Sequence, residues 1–200
     1  MVCAAAPVSA EEQGRLFGVL PNYATVDRRT APGEEVPPIS NKQLFKLADL
    51  SSYDPAVFPF VGLKTALGAG GSDSPFGTRY AMALADNAVA NLMKIAIVPS
   101  LTNQDSRYFR SGEGGVFRRL AYAAKTSVVT RKRSGGTTFN ISAVGGNLAA
   151  AGISNLYYDP ADRTFSGTMS RWGTQMMWGV VSREMKEFWP DIREKLRRKH

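Results

Sequence analysis

The sequence holds a single histidine, His200, and a single cysteine, Cys3. These two shortages exclude most familiar catalytic chemistry. A Ser-His-Asp triad, a Cys-His dyad or a His-ligated zinc site would have to be centred on a terminal residue, where chains usually fray. With one cysteine there is no disulfide framework, so the fold must stand on packing. The Gly-rich stretches 68–71 and 112–115 lack the Gly-Lys-Ser/Thr ending of a phosphate-binding loop, and neither follows a clear strand. They read as helix stops. Long uncharged apolar runs are scarce as well. The most apolar segment, residues 78–98, contains Asp86 and Lys94. A central charge costs about 2.5–3.5 kcal/mol on insertion, against roughly −0.3 to −0.6 for each large apolar residue, so this is no clean transmembrane helix. The inventory predicts a non-enzymatic protein with no metal and no cofactor.

What the chain does have is positive charge. Twenty-five Lys and Arg stand against seventeen Asp and Glu, a formal net charge of +8, which favours anionic partners. The excess is clustered. Arg118 and Arg119 form one group, Arg131, Lys132 and Arg133 a second, and Arg193, Lys195, Arg197, Arg198 and Lys199 a basic tail. All are candidates for binding an anionic surface, although cations also suit helix C-termini. Nucleic acid is not the favoured partner, because no reader motif or row of stacking aromatics accompanies the basic runs.

At 200 residues with 44% hydrophobic and 21% charged residues, the chain is long enough for a sizeable core and is not disordered as a whole. Residues 1–10 read as the remnant of a signal peptide, since Val8-Ser9-Ala10 fits the small-x-small cleavage pattern before Glu11-Glu12. Residues 11–40 form an extended lead-in, interrupted by Pro21, Pro32, Pro37 and Pro38, with 16–20 as an apolar anchor. Residues 41–200 form one helical domain. Periodicity and caps predict helices over 42–50, 57–67, 78–98, 116–129, 139–157 and 167–188, with Pro190 opening a separate basic terminal helix. The expected fold class is all-α, a compact multi-helix bundle behind an extended Pro-containing N-terminal segment.

Two of these helices carry polar residues in narrow lines. Asn87, Asn91 and Lys94 share one face, with Asp86 beside them, and Asn140, Asn147 and Ser154 recur every seven residues. Gly146, Ala150 and Ser154 place small residues at four-residue steps, which lets another backbone approach. The line Asp86, Asn87, Asn91, Lys94, Asn140, Asn147 and Ser154 is either interhelical glue or a ligand site inside the bundle. Trp172, Trp178 and Trp189 with Tyr157 and Tyr158 fit an interfacial belt or ordinary packing. Asp105 with Arg107 is the weakest alternative, an enzyme site.

Several phrases together resemble an uncharacterised family of exported proteins best represented among acidobacteria. They are Leu16-Phe17-Gly18-Val19-Leu20-Pro21-Asn22-Tyr23, Leu84-Ala85-Asp86-Asn87-Ala88, Asp105-Ser106-Arg107-Tyr108-Phe109, Asn140-Ile141-Ser142, Ile153-Ser154-Asn155-Leu156-Tyr157-Tyr158 and Lys186-Glu187-Phe188-Trp189-Pro190-Asp191-Ile192. The resemblance implies export and carries no activity, cofactor or catalytic residue. The expected function is a cell-envelope protein, in the periplasm or a membrane, associated with membrane lipids or other envelope components through apolar helices and basic clusters. Each basic residue near an anionic surface contributes about 1 kcal/mol. The alternative is a carrier of a lipid or other apolar ligand, whose head group is held by Asn87, Asn91 and Lys94.

Overall fold

A computed structural model describes residues 15–16, 22–27, 36–68 and 74–198. Residues 1–10, expected to be a signal-peptide remnant, most of the expected apolar anchor at 16–20, and Lys199 and His200 lie outside the described residues. Leu16 itself is buried.

Ser40 opens the helical part of the chain. Its hydroxyl accepts from the Gln43 amide at 3.3 Å and the Gln43 side chain accepts from the Ser40 amide at 2.8 Å. This reciprocal pair satisfies two amides at the start of α1, Asn41–Tyr53. The buried carboxylate of Asp54 then turns the chain. It accepts from the Ala56 amide at 2.9 Å, from Arg15 at 3.0 and 2.9 Å, and from the Tyr23 hydroxyl. The next helix, α2, is Val57–Leu67, and it ends where the Gly68 amide returns to the Lys64 carbonyl at 2.9 Å.

Helix α3 runs Phe76–Thr102 without interruption, but Leu92–Ile97 is a π-helical stretch within it. Such wide turns are frequent at functional sites. Asn103, at φ 55°, stops the helix in the left-handed conformation that Asn tolerates. Short strands follow, β2 at Gln104–Asp105 and β3 at Tyr108–Arg110. Helix α4 is Val116–Lys125. Strands β4, Val129–Lys132, and β5, Thr137–Phe139, are joined by a turn in which Gly135 and Gly136 have φ of 93° and 77°. Asn140 caps α5, Ile141–Ser154, by accepting from the Ala143 amide at 2.9 Å. After a 3₁₀ turn at Pro160–Asp162, the Thr164 hydroxyl caps α6, Phe165–Arg197.

Six helices among the described residues make the protein mostly helical. The all-α expectation is corrected by two small sheets. The lead-in strand β1, Thr25–Asp27, pairs in parallel with β3, setting Val26 opposite Phe109. Strands β2, β4 and β5 form an antiparallel sheet that sets Asp105 opposite Arg131 and Thr130 opposite Thr138. The lead-in is therefore partly built into the fold. Each strand has two to four residues, too few to display a period of two.

A core of Ala24, Ile39, Leu44, Leu47, Ala48, Ile95 and Ala96 joins α1 to the π stretch of α3. Helix α5 crosses the same stretch from another side. A Cβ at Gly146 would lie 2.8 Å from the Lys94 Cα, so only glycine permits this approach. The helix expected at 116–129 ends at Lys125, and the expected break at Pro190 is absent. Pro190 lies inside α6 and removes one backbone donor. Contacts from Arg110 and Arg119 to the Glu187 carbonyl and to Asp191 span this point and hold both sides of it.

Candidate functional site

Helices α2, α3, α5 and α6 leave a cavity of about 1360 Å³ between them. Its apolar wall includes Val57, Phe60, Val61, Met82, Ala90, Met177, Trp178, Val181 and Met185. Polar side chains are concentrated at two poles. Asp86 and Lys94 are eight residues apart on α3, about 12 Å along a helix. Arg171 and Arg183 are twelve apart on α6, about 18 Å.

At the first pole Asp86 accepts from the Tyr157 hydroxyl at 2.5 Å and the Tyr158 hydroxyl at 2.8 Å. The Arg171 guanidinium stacks over the Tyr158 ring at 4.3 Å and donates to the Asn155 side chain. The Lys64 ammonium lies 4.9 Å from the Trp178 ring centre. Burial raises the Asp86 carboxyl above its ordinary range, and the two tyrosine hydrogen bonds offset only part of that rise. Burial pushes both tyrosine hydroxyls up, and the Asp86 carboxylate adds to the shift, so they remain protonated donors.

The second pole gathers Lys94 from the π stretch with Arg183 and Lys186 from α6. All three are half-buried and line the cavity. Burial lowers Lys94 to about 7, and the nearby charges of Arg183, Lys64 and Lys186 push in the same direction. Burial and Arg183 bring Lys186 to about 8, and burial brings Arg183 to about 10. Among the described residues none of the three forms an ion pair, and Lys94 and Lys186 make no hydrogen bond. Arg183 has one long contact, 3.4 Å to the Ser127 hydroxyl. Between the poles, buried polar atoms of Asn87, Asn147 and Gln175 also lack partners. Native interiors rarely leave such atoms unpaired.

One residue beyond Lys186 the pattern reverses. Glu187 is 0% exposed, and its carboxylate accepts from Tyr108 at 2.6 Å, Ser111 at 3.1 Å, Gly112 at 2.7 Å and Arg119 at 3.0 Å. Arg110 and Arg119 also pair with Asp191. The stretch 112–115 is thus no helix stop: it precedes α4, and Gly112, at φ 64°, presents its amide to Glu187.

The proposed anionic-surface residues divide. Arg119 is corrected: it is buried, stacked 4.4 Å over Phe188 and neutralised by Glu187 and Asp191. Arg133 is turned inward to Asn41, Gln104 and Pro99. Arg131 is exposed and stacks 4.7 Å over Phe109. Arg118, Lys132, Arg193, Lys195, Arg197 and Arg198 are exposed, with Arg198 beside Glu194.

The expected polar line divides too. Asp86, Asn87, Asn91, Lys94, Asn140 and Asn147 all border the cavity. Asn91 is spent on Ser51 and Ser52, and Asn140 on its cap and on the Thr126 carbonyl. Ser154 is corrected to a structural role, since its buried hydroxyl donates to the Ala151 carbonyl at 2.7 Å and lies off the cavity. Asp105 and Arg107 grip one another, and Arg107 also holds the Pro37 carbonyl at 2.9 Å. Trp172 donates to the Val144 carbonyl and Trp178 packs edge-on to Phe60, which makes both packing residues.

Sequence reasoning missed Lys64, Arg171, Arg183 and Lys186. The spacing of Arg183 and Lys186, three apart on a helix, was the available signal. Comparison with family models, curated proteins and solved structures gave no match.

Proposed function

We propose that this chain is a binding protein or carrier for an amphiphile, held in the cavity between α2, α3, α5 and α6. One observation carries the reading: an apolar cavity of about 1360 Å³ ends in three cations that have no counter-charge among the described residues. Pockets for drug-sized ligands measure roughly 300–1,000 Å³, so there is room for a long-chain molecule. A purely structural cavity would be expected to be filled, or its charges paired. Organic extraction of the purified full chain, followed by mass spectrometry, is expected to release a near-stoichiometric amphiphile. Extracts without one would contradict the reading.

A second reading, peripheral membrane association, is favoured by helix Phe76–Thr102, which is apolar and long enough to cross a membrane yet has few fully buried residues. Arg118, Arg131, Lys132 and the tail from Arg193 would meet lipid phosphates, in keeping with the resemblance to exported proteins. A carrier must also visit the surface that supplies its cargo, so the readings are compatible. Sedimentation with anionic vesicles should fall at high salt, and salt-independent sedimentation would contradict attachment through these residues.

A further inference from the structure

The carrier reading leaves the chemistry of the ligand open, and the two poles narrow it. Lys94, Arg183 and Lys186 converge from two helices on one end of the cavity and are close enough to depress one another's protonation. A single carboxylate would leave most of this charge unmatched. A phosphate monoester carries about −1.5 to −2 near neutral pH and offers three acceptor oxygens. It therefore suits one guanidinium fork and two ammonium groups. At the far pole Asp86, held by Tyr157 and Tyr158, offsets part of the charge of Lys64 and Arg171, so the larger unmatched charge lies at Lys94, Arg183 and Lys186. Between the poles, Asn87, Asn147 and Gln175 present unpartnered buried atoms.

We propose that Lys94, Arg183 and Lys186 form the receptor for the phosphate head group of an amphiphile, whose alkyl part lies along the apolar wall toward Asp86. The assignment rests on the carrier reading and adds the class and orientation of the ligand. Asn87 Nδ2 and Gln175 Nε2 then donate to the oxygens that link head group to chain, and Asn147 Oδ1 accepts from a hydroxyl there.

The test is calorimetric titration of the delipidated full chain with three probes: dodecyl phosphate, dodecanol and inorganic phosphate. Dodecyl phosphate should bind at least about tenfold more tightly than dodecanol, and inorganic phosphate more weakly still. Lys94→Met and Lys186→Met should each weaken dodecyl phosphate by about 30-fold or more and leave dodecanol unchanged. Lys186→Arg should recover much of the loss, and thermal unfolding of each variant checks that it folds. Equal affinity for dodecanol and dodecyl phosphate would overturn the head-group assignment while leaving the carrier reading intact. Inorganic phosphate binding as tightly as dodecyl phosphate would overturn the carrier reading and this assignment together, in favour of a free-phosphate site. Failure of all three probes to bind would overturn both.

Discussion

Lys186 and Glu187 are neighbours on α6, about 100° apart around its axis, and each belongs to a different buried charge cluster. On the Glu187 side, Tyr108, Arg110, Arg119 and Asp191 complete the set, and the Glu187 carboxylate accepts four hydrogen bonds. On the Lys186 side, Lys94 and Arg183 gather with no carboxylate bonded to them among the described residues. The same chain can pair buried charge thoroughly, so its absence at the cavity is not a general looseness of the fold. Paired charge ties β3, α4 and α6 together. Unpaired charge beside an open volume is what a site for an anion requires.

Breaking the paired cluster should have the largest effect. Glu187→Ala takes the carboxylate from Arg119, leaving Asp191 alone to balance Arg110 and Arg119, and removes the acceptor for Tyr108 and two loop amides. It should cost about 3–5 kcal/mol in denaturant unfolding. Lys94→Met should act in the opposite direction. Replacing an unpaired half-buried cation with a similar apolar side chain should stabilise the ligand-free protein by about 1–4 kcal/mol, at the expense of ligand binding. Gly146→Ala tests the frame between the clusters. Its Cβ would press on the Lys94 backbone, which should cost about 1–3 kcal/mol and displace Lys94.

The pH dependence should be the smallest of these effects and equally diagnostic. Lys94 drops from 10.5 to about 7 on folding. Above 10.5 it is neutral in both states. Between 10.5 and 7 the unfolded chain takes up the proton and the folded chain does not, so stability falls as pH falls, levelling off below about 7. Lys186, at about 8, and the smaller shift of Lys64 act in the same direction. Arg183, at about 10, loses its proton only at the upper edge of this window and acts in the same direction. Tyr108, Tyr157 and Tyr158, all raised by burial, oppose this trend only where unfolded tyrosine begins to ionise, near pH 10. Asp86 stands beside Lys64 at the other pole. The melting temperature of the ligand-free protein should therefore rise from pH 7 to pH 10. In Lys94→Met that rise should be reduced, and a fall with pH in the parent protein would contradict the assignment.

Much of the helical frame was legible in the sequence. Ser40 and the Gly68 stop mark real helix ends because capping is local chemistry, whereas Asn140, expected inside a helix over 139–157, is the residue that caps it. The alignment of Asn87 and Lys94 on one face also follows from a single helix. The strands were not legible, because a two-residue β2 exists only through its pairing with Lys132 and Arg131. Pro190 misled because its local preference is overridden by Arg110 and Arg119, which come from sequence about seventy to eighty residues away. Charge sign alone could not separate Arg118 from Arg119: neighbours on one helix, one is exposed and the other meets Glu187. For the same reason, Arg183 and Lys186 meet Lys94 only once α3 and α6 are placed side by side.

The most direct measurement is thermal unfolding of the delipidated protein, Lys186→Met and Glu187→Gln, each with and without dodecyl phosphate. The account predicts that Glu187→Gln melts lower than the parent and is still stabilised by the ligand, whereas Lys186→Met melts higher and no longer responds to it. If Lys186→Met melts as low as Glu187→Gln, or responds to dodecyl phosphate as the parent does, the cationic pole is not a ligand site.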